Sequence, residues 1–285
     1  MNLHLSVGRL REDGYHELVT VFHAVDVTDE VVATPSSGLS VAVEGMGHGV
    51  VPTDWRNLAW RAAELLARTA GVEPDVQLRL RKAIPVEGGM AGGSADAAAT
   101  LLACARLWGV EADLPALAAE LGADVAFPLV GGTAVGTGRG EKLSPVPAGP
   151  LHWVFAPSNF GISARAAYEE LDRLRSVGAA PPATGAPDVL LAALAAGEVG
   201  AVGAALANDL QPAAFALRPE LRRTYDLGLE AGAVGAVVSG SGPTIAFLCA
   251  DPESAEHLAA VLQMEGLGAG ALVARGPVAG AQVID

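Results

Sequence analysis

Residues 85–95 read Pro-Val-Glu-Gly-Gly-Met-Ala-Gly-Gly-Ser-Ala, and an alanine-rich stretch of strong helix propensity, residues 96–108, follows directly. A glycine loop that feeds a helix is, physically, a cradle for phosphate. Gly88, Gly89, Gly92 and Gly93 have backbone angles open to them that a Cβ would close. Several N–H groups can then converge on one anion at the positive end of the helix dipole. The spacing separates this loop from two relatives. Gly88 and Gly93 are separated as in a P-loop, but Ser94 and Ala95 stand where Lys and Ser or Thr are required. Counted from Gly88, the second glycine of a dinucleotide fingerprint falls on Met90. A flexible turn ahead of a helix is the plain alternative.

Composition narrows the rest. The chain has 285 residues, room for one large domain or two modest ones, and 51% of them are apolar, which excludes a disordered chain. A net charge of −14, from 18 basic against 32 acidic residues, argues against general binding to nucleic acid or an anionic membrane. Arg dominates the cations, and Lys82 and Lys142 are the only lysines. Cys104 and Cys249 lie in apolar segments without metal-ligand spacing, so buried free thiols in a reducing cytoplasm are expected. No apolar run is long enough to span a membrane, and no signal peptide is visible.

Alternation marks strands at 2–7 and 18–25, joined by the turn Arg11-Glu12-Asp13-Gly14, with further strands at 31–33, 39–43 and 76–80. Helical periodicity marks 57–69 and 114–121, and a glycine-bearing hairpin spans 131–140. Composition turns Pro-rich near 144–150, which predicts a junction between domains 1–148 and 149–285. Beyond it come a strand at 152–156, a helix at 164–177, a mobile Pro/Gly/Ala loop at 178–187, and helices at 189–194, 199–208 and 219–231. The end of the chain alternates regularly: strand 235–238, turn, strand 244–249, helix 252–264 with Asp251 as N-cap and Pro252 at N1, then strand 270–275. This order predicts a split βαβ layer with the sheet on one side and helices on the other.

Four places can carry chemistry: the loop 85–95, Gly122-Ala123-Asp124, the turn Ser239-Gly240-Ser241-Gly242-Pro243, and Asp13-Gly14-Tyr15-His16. Together they resemble the GHMP kinases. Pro85 to Ser94 is similar to the second motif of that family, residues 239–244 to the third, and Asn2-Leu3-His4-Leu5 to the end of the first. Asp13-Gly14-Tyr15-His16-Glu17-Leu18 and the segment 121–128 resemble the branch that acts on a cytidine diphosphate-linked methylerythritol. The likeness runs from residue 2 to the end of the chain.

The resemblance implies an α+β, two-lobed fold, with an N-terminal lobe of the ribosomal S5 domain 2 type and a ferredoxin-like C-terminal lobe. It implies ATP with Mg²⁺ and a small-molecule acceptor, in a cytoplasmic monomer or homodimer. The backbone of Pro85, Val86, Glu87, Gly88, Gly89, Met90, Ala91, Gly92, Gly93, Ser94 and Ala95 would hold the phosphates. The Ser94 hydroxyl would reach phosphate or Mg²⁺, and Asn57 and Lys82 would lie near the adenine. Asp124 would be the catalytic aspartate, as base or as orienter of the hydroxyl. Tyr15 and Tyr168 would be the aromatic walls for cytosine, and His16 would bond its edge. Asn2 would sit near the methylerythritol, and Gly240, Ser241 and Gly242 would close the cleft opposite the glycine loop. Each has a plainer reading: Asn57 as a helix start, Lys82 as a solvated strand-end charge, Asp124 as a turn cap, the aromatics as packing, residues 240–242 as an ordinary hairpin turn.

The family also carries a Lys two residues before the Asn that matches Asn2. Here Met1 stands directly before Asn2. The expectation is a true start further upstream, because the chain opens inside a strand; without that Lys, activity would be badly impaired. Another GHMP kinase, of the homoserine or mevalonate type, and a non-catalytic nucleotide-binding module are the alternatives.

Overall fold

A computed structural model of the chain describes residues 1–267 and 270–284. The chain opens with the hairpin β1 (Asn2–Leu10) and β2 (His16–His23), then β3 (Glu30–Pro35), β4 (Ser40–Gly45), α1 (Leu58–Ala70) and β5 (Val76–Lys82). Next come α2 (Gly92–Trp108), α3 (Leu114–Leu121), a 3-10 turn (Ala123–Val125), α4 (Ala126–Val130) and the hairpin β6 (Thr133–Gly138) with β7 (Lys142–Pro145). Then follow β8 (Leu151–Ala156), α5 (Ala164–Ser176), α6 (Asp188–Ala196), α7 (Val199–Ala204), β9 (Ala207–Asn208) and α8 (Gln211–Leu217). The last elements are α9 (Glu220–Glu230), β10 (Gly235–Val238), β11 (Ile245–Cys249), α10 (Pro252–Met264) and β12 (Leu272–Gly276). Among the described residues, no helix is long and apolar enough to cross a membrane.

The chain forms two compact units. Unit 1 takes Met1–Asp26, Glu87–Met90 and Gly132–Val278; unit 2 takes Val27–Val86, Ala91–Gly131 and Ala279–Asp285. The compact units do not divide at the boundary expected between 148 and 149, since the residues on both sides of it lie in unit 1. Strand pairing explains this: β6 and β7 join β2 and β1 in one sheet, which ties 132–148 to the start of the chain.

Unit 1 holds two sheets. The first runs β7-β6-β2-β1-β9. The second runs β10-β11-β8-β12, all antiparallel, with β8 between β11 and β12. Strands and helices in the order β8, helices, β10, β11, α10, β12 make this second layer ferredoxin-like, as expected. Its inner face is continuous core: Val154, Ala156, Ile245, Phe247 and Cys249 pack with Leu171, Leu258 and Leu262 from the helices. Asp251 caps α10 by accepting from the Ser254 N–H at 2.8 Å, with Pro252 in the first turn.

Unit 2 is the sheet β3-β5-β4 with helices α1 to α4. On β5, Val76, Leu78, Leu80 and Lys82 are buried, while Gln77, Arg79 and Arg81 are exposed, the alternation of a half-covered strand. α1 packs against α2, whose buried face is small, with Ala97, Ala98, Thr100, Leu101 and Cys104.

Three local expectations change. The helix after the glycine loop starts at Gly92 rather than at residue 96, so Gly92 to Ala95 form its first turn. Residues 207–208 are not helical; they form β9, a two-residue strand parallel to β1, because tertiary pairing outweighs propensity over so short a stretch. The loop 178–187 is pinned, not loose. Asp209 accepts from the Thr184 N–H and hydroxyl, Gly185 N–H donates to Ser6 Oγ at 2.9 Å, and Arg175 Nε donates to the Pro181 carbonyl at 3.2 Å.

Candidate active site

In unit 1 the turn 87–90 lies directly on the turn 239–242. Ser239 Oγ donates to the Gly89 carbonyl at 2.9 Å, and Thr244 N–H donates to the Gly88 carbonyl at 3.3 Å. Gly89 has φ 72°, and a Cβ there would press into the Ser239 carbonyl and come within 2.9 Å of Gly242 N. Glycine is therefore required at 89 on both counts. The other left-handed residues beside it are not glycines: Glu87 (φ 53°) and Ala91 (φ 55°). Gly92 and Gly93 are helical instead, so of the four loop glycines only Gly89 uses the left-handed freedom expected of them all. Left-handed residues thus alternate along the chain at 87, 89 and 91, a backbone pattern related to that of anion-binding nests. The Glu87 carboxylate lies against Gly161.

Below the second turn, Asn208 Nδ2 donates to the carbonyls of Val238 and Gly240, both at 2.7 Å, and fixes the turn's height. Asn2 donates to Thr20 Oγ1 at 2.7 Å and turns its amide oxygen toward Gly240. The backbone at Gly240 is left-handed, φ 53°, and a Cβ there would come within 2.9 Å of the Gly89 carbonyl. The residues 240–242 thus touch the glycine turn itself rather than facing it across a gap.

His16 stacks on Tyr168, with ring centroids 5.4 Å apart and planes 16° apart. Both His16 ring nitrogens are engaged, Nδ1 with the Gly8 carbonyl at 3.0 Å and Nε2 with Asp172 at 3.2 Å. What His16 retains for a ligand is its backbone. Tyr15 is exposed, and the Arg139 guanidinium lies 5.2 Å from its ring centroid, covering one face. An open pocket of about 340 Å³ lies alongside, lined by residues 7–10 of β1, His16, Asp172, Arg175, Pro182 and Ala183.

In unit 2, α2 begins without a side-chain cap, because Ala91 precedes it and can offer none. The first helical bond runs from Ala95 N–H to the Ala91 carbonyl at 3.0 Å, so the N–H groups of Gly92, Gly93 and Ser94 have no acceptor within the helix. Asn57 is the N-cap of α1: its Oδ1 accepts from Ala59 N–H at 2.8 Å and its Nδ2 donates to the Pro52 carbonyl at 2.7 Å. Its amide is used by the fold, as the plainer reading holds.

Lys82 is not a solvated strand end. It is 6% exposed, and its ammonium sits between Asp29 and Asp96, at 2.6 Å from Asp96 Oδ2. Asp29 also accepts from Ala83 N–H at 2.6 Å and Ile84 N–H at 2.8 Å. Burial pushes the Asp96 carboxyl up to about 7; Lys82 opposes that shift and Asp29 adds to it. Asp29 and Asp96 escape the sequence reading because each is a lone Asp beside unremarkable neighbours. The signal available was an Asp one turn inside the helix that leaves the loop, with a lysine ending the strand that enters it.

Asp124 stands in the 3-10 turn that packs against α2 and α3. No side chain caps this turn. The residue is solvent-exposed while protein crowds its carboxyl and raises its pKa through desolvation; a carboxylate reached by water from one side has both properties.

The family description "GHMP kinases N terminal domain" matches residues 57–132, and "GHMP kinases C terminal" matches 190–266. The chain is 51% identical to the 4-diphosphocytidyl-2-C-methyl-D-erythritol kinase of Rhodococcus jostii, covering 100% of this chain and 93% of the relative. It is 53% identical to the Mycolicibacterium smegmatis enzyme of the same name, covering 100% and 90%. A crystal structure of 4-(cytidine 5'-diphospho)-2C-methyl-D-erythritol kinase superposes with a TM-score of 0.79 at 37% identity, over 96% of this chain and 95% of that one. A homoserine kinase from Cytophaga hutchinsonii, 20% identical, shares the fold with a TM-score of 0.75 over 98% and 96%. The chain belongs to the GHMP kinases and, among them, to the 4-diphosphocytidyl-2-C-methyl-D-erythritol kinase family.

Proposed function

We propose that the chain transfers the γ-phosphoryl group of ATP to the 2-hydroxyl of 4-diphosphocytidyl-2-C-methyl-D-erythritol, in the methylerythritol phosphate route to isoprenoid precursors. The observation that carries this reading is an identity of 51–53% over the full chain with kinases of that name. The local geometry suits it. Three N–H groups without an acceptor in the helix, at the uncapped start of α2, suit a phosphate group.

When bound, ATP supplies the phosphoryl group and Mg²⁺ offsets its charge. Among the described residues no three His, Cys, Asp or Glu side chains cluster as a metal site. Mg²⁺ would be held chiefly by the triphosphate, and the Ser94 hydroxyl would reach phosphate or Mg²⁺, in keeping with how this ion binds through phosphates and few protein ligands. Asp124 takes the proton of the 2-hydroxyl or orients it; a carboxyl with a raised pKa is the better proton acceptor of its kind near neutrality. Tyr15 offers the face opposite Arg139 to cytosine, with Tyr168 and the His16 backbone completing the base site. Asn2 and residues 240–242 adjoin the methylerythritol, and Asn57 and Lys82 serve the adenine side through their backbone, since both side chains are buried and their polar ends engaged. The proposal includes a cytoplasmic enzyme, monomeric or homodimeric; the two buried free thiols, Cys104 and Cys249, suit a reducing compartment.

The test is a panel of phosphoryl acceptors with ATP and Mg²⁺. The cytidylyl methylerythritol is expected to be phosphorylated, and homoserine and mevalonate are not. Turnover of either of those in its place would reassign the chain within the family.

A further inference from the structure

Two carboxylates and one ammonium are buried together in unit 2, and the proposed chemistry uses none of their charges. Lys82 ends β5, where the chain leaves the sheet toward the glycine turn. Asp96 lies one turn into α2, where the chain returns. Asp29, in the segment ahead of β3, takes the N–H groups of Ala83 and Ile84 on one oxygen and the Lys82 ammonium on the other. It therefore bends the strand exit around itself. Lys82 also bonds Asp96 at 2.6 Å, and a Cβ on Gly92 would lie 3.3 Å from Lys82 Nζ and 3.1 Å from Ile84 Cγ2, so the helix start is seated on the same ammonium.

One cation thus ties both shoulders of the loop, residues 83–84 on one side and 92–96 on the other. The arrangement is not the cheapest way to hold two backbone segments together. Burying an ion costs several kcal/mol even when paired, and well-packed apolar residues often stabilise as much or more. Nor is the cluster balanced: one ammonium faces two carboxylates, and Asp96 Oδ1 is buried without a hydrogen-bond partner. What a directional ion pair gives that apolar packing does not is a fixed distance between the shoulders. A loop held at its bound spacing loses less freedom when a ligand orders it.

We infer that Lys82, held by Asp29 and Asp96, is a positioning group for the nucleotide: it sets the spacing of the two shoulders of the glycine loop and thereby the affinity for ATP. The inference rests on the kinase reading for the identity of that ligand. The test is direct titration with ATP and Mg²⁺ in the absence of acceptor, beside KM for both substrates. The double variant Lys82→Met/Asp96→Leu removes the tie and one charge of each sign, and Asp29 keeps its two N–H donors while losing its cation. Its Kd for ATP is expected to rise about tenfold or more, the loss of a charged hydrogen bond, with KM for the cytidylyl substrate unchanged within about twofold. Asp96→Asn, which keeps shape and an acceptor, is expected to weaken ATP by about three- to fivefold with the same split. It decides the matter alone if the double variant does not fold. A folded variant that binds ATP as the wild type does, or raises both KM values together, overturns the inference and leaves the kinase reading standing. A wild-type chain that binds no ATP overturns both.

Discussion

Unit 1 and unit 2 each bury an aspartate against a cation, and the two clusters are built to different standards. In unit 1, Asp209 accepts from Val7 N–H at 2.8 Å, Arg175 Nη2 at 2.9 Å, and the N–H and hydroxyl of Thr184. Arg175 adds a bond to the Val7 carbonyl at 2.7 Å. One charge meets one charge, and every oxygen has a donor. In unit 2, a single ammonium serves two carboxylates, and one oxygen of Asp96 is left over. A satisfied network fixes a structure; an unbalanced one holds its place only because surrounding packing imposes it, and such sites gather where function is. The difference teaches where to look: Asp209 staples the loop 178–187 to β1, whereas Lys82 and Asp96 flank the loop proposed to hold ATP.

The largest expected effect breaks the unbalanced cluster on one side only. Lys82→Met alone leaves two buried carboxylates facing each other, and the loss of unfolding free energy in a denaturant titration should be roughly 3–5 kcal/mol. A single variant as stable as the Lys82→Met/Asp96→Leu double would mean that the charges are not felt where they lie.

The next effect should be smaller and of a different kind. Asp209→Ala removes charged hydrogen bonds worth roughly 1.5–3 kcal/mol of stability. It also releases Pro182 and Ala183, which line the pocket beside His16. KM for the cytidylyl substrate should rise while ATP affinity stays put. Should ATP binding weaken as much as in the Lys82 and Asp96 variants, the contrast between staple and positioning group would collapse.

The smallest effect is one of pH, and its sign separates the units. The Asp96 carboxyl has a folded pKa raised to about 7, above its unfolded value, so the stability tied to it is fully present below the unfolded pKa and is lost as pH rises toward about 7. In unit 1, His23 is buried, bonds Thr133 Oγ1 through Nδ1 at 2.8 Å, and has a pKa lowered to about 3, chiefly by desolvation. Its contribution is present above its unfolded pKa of 6.5 and is lost as pH falls toward about 3. The two slopes oppose each other between about pH 4 and 6.5; Asp96→Asn removes the falling one and should leave stability rising with pH across that window, as His23 gives up its proton. An unchanged slope in that window would remove Asp96 from the account.

The elements most legible in the sequence are those decided locally. The N-cap at Asp251 with Pro252 behind it, the alternation of β5, and the strand–turn–strand around 239–243 each carry their own physical signal, and each forms as read. What sequence could not show is partnership at long range. The loop 178–187 reads as loose because the groups that hold it, Ser6 and Asp209, lie far away in the chain. Strand β9 has only two residues and exists because β1 is there to pair with it. The plainer reading of Lys82 as a solvated strand-end charge fails because nothing local reveals that Asp29 and Asp96 converge on it. In the candidate site, the glycine loop and Asp13 to His16 stand out by residue type alone, but the stack of His16 on Tyr168 depends on Gly8 and Asp172, which hold the imidazole in that plane.

The proposed reaction is phosphoryl transfer from ATP to the 2-hydroxyl of the cytidylyl methylerythritol with Asp124 at the reacting hydroxyl. Its most direct test follows labelled γ-phosphoryl into product for the wild type and for Asp124→Asn, with ATP binding and thermal unfolding measured on both. A fall in kcat of about 10²–10⁴ is expected for Asp124→Asn, with ATP affinity and stability little changed. Equal turnover by the two proteins would contradict it.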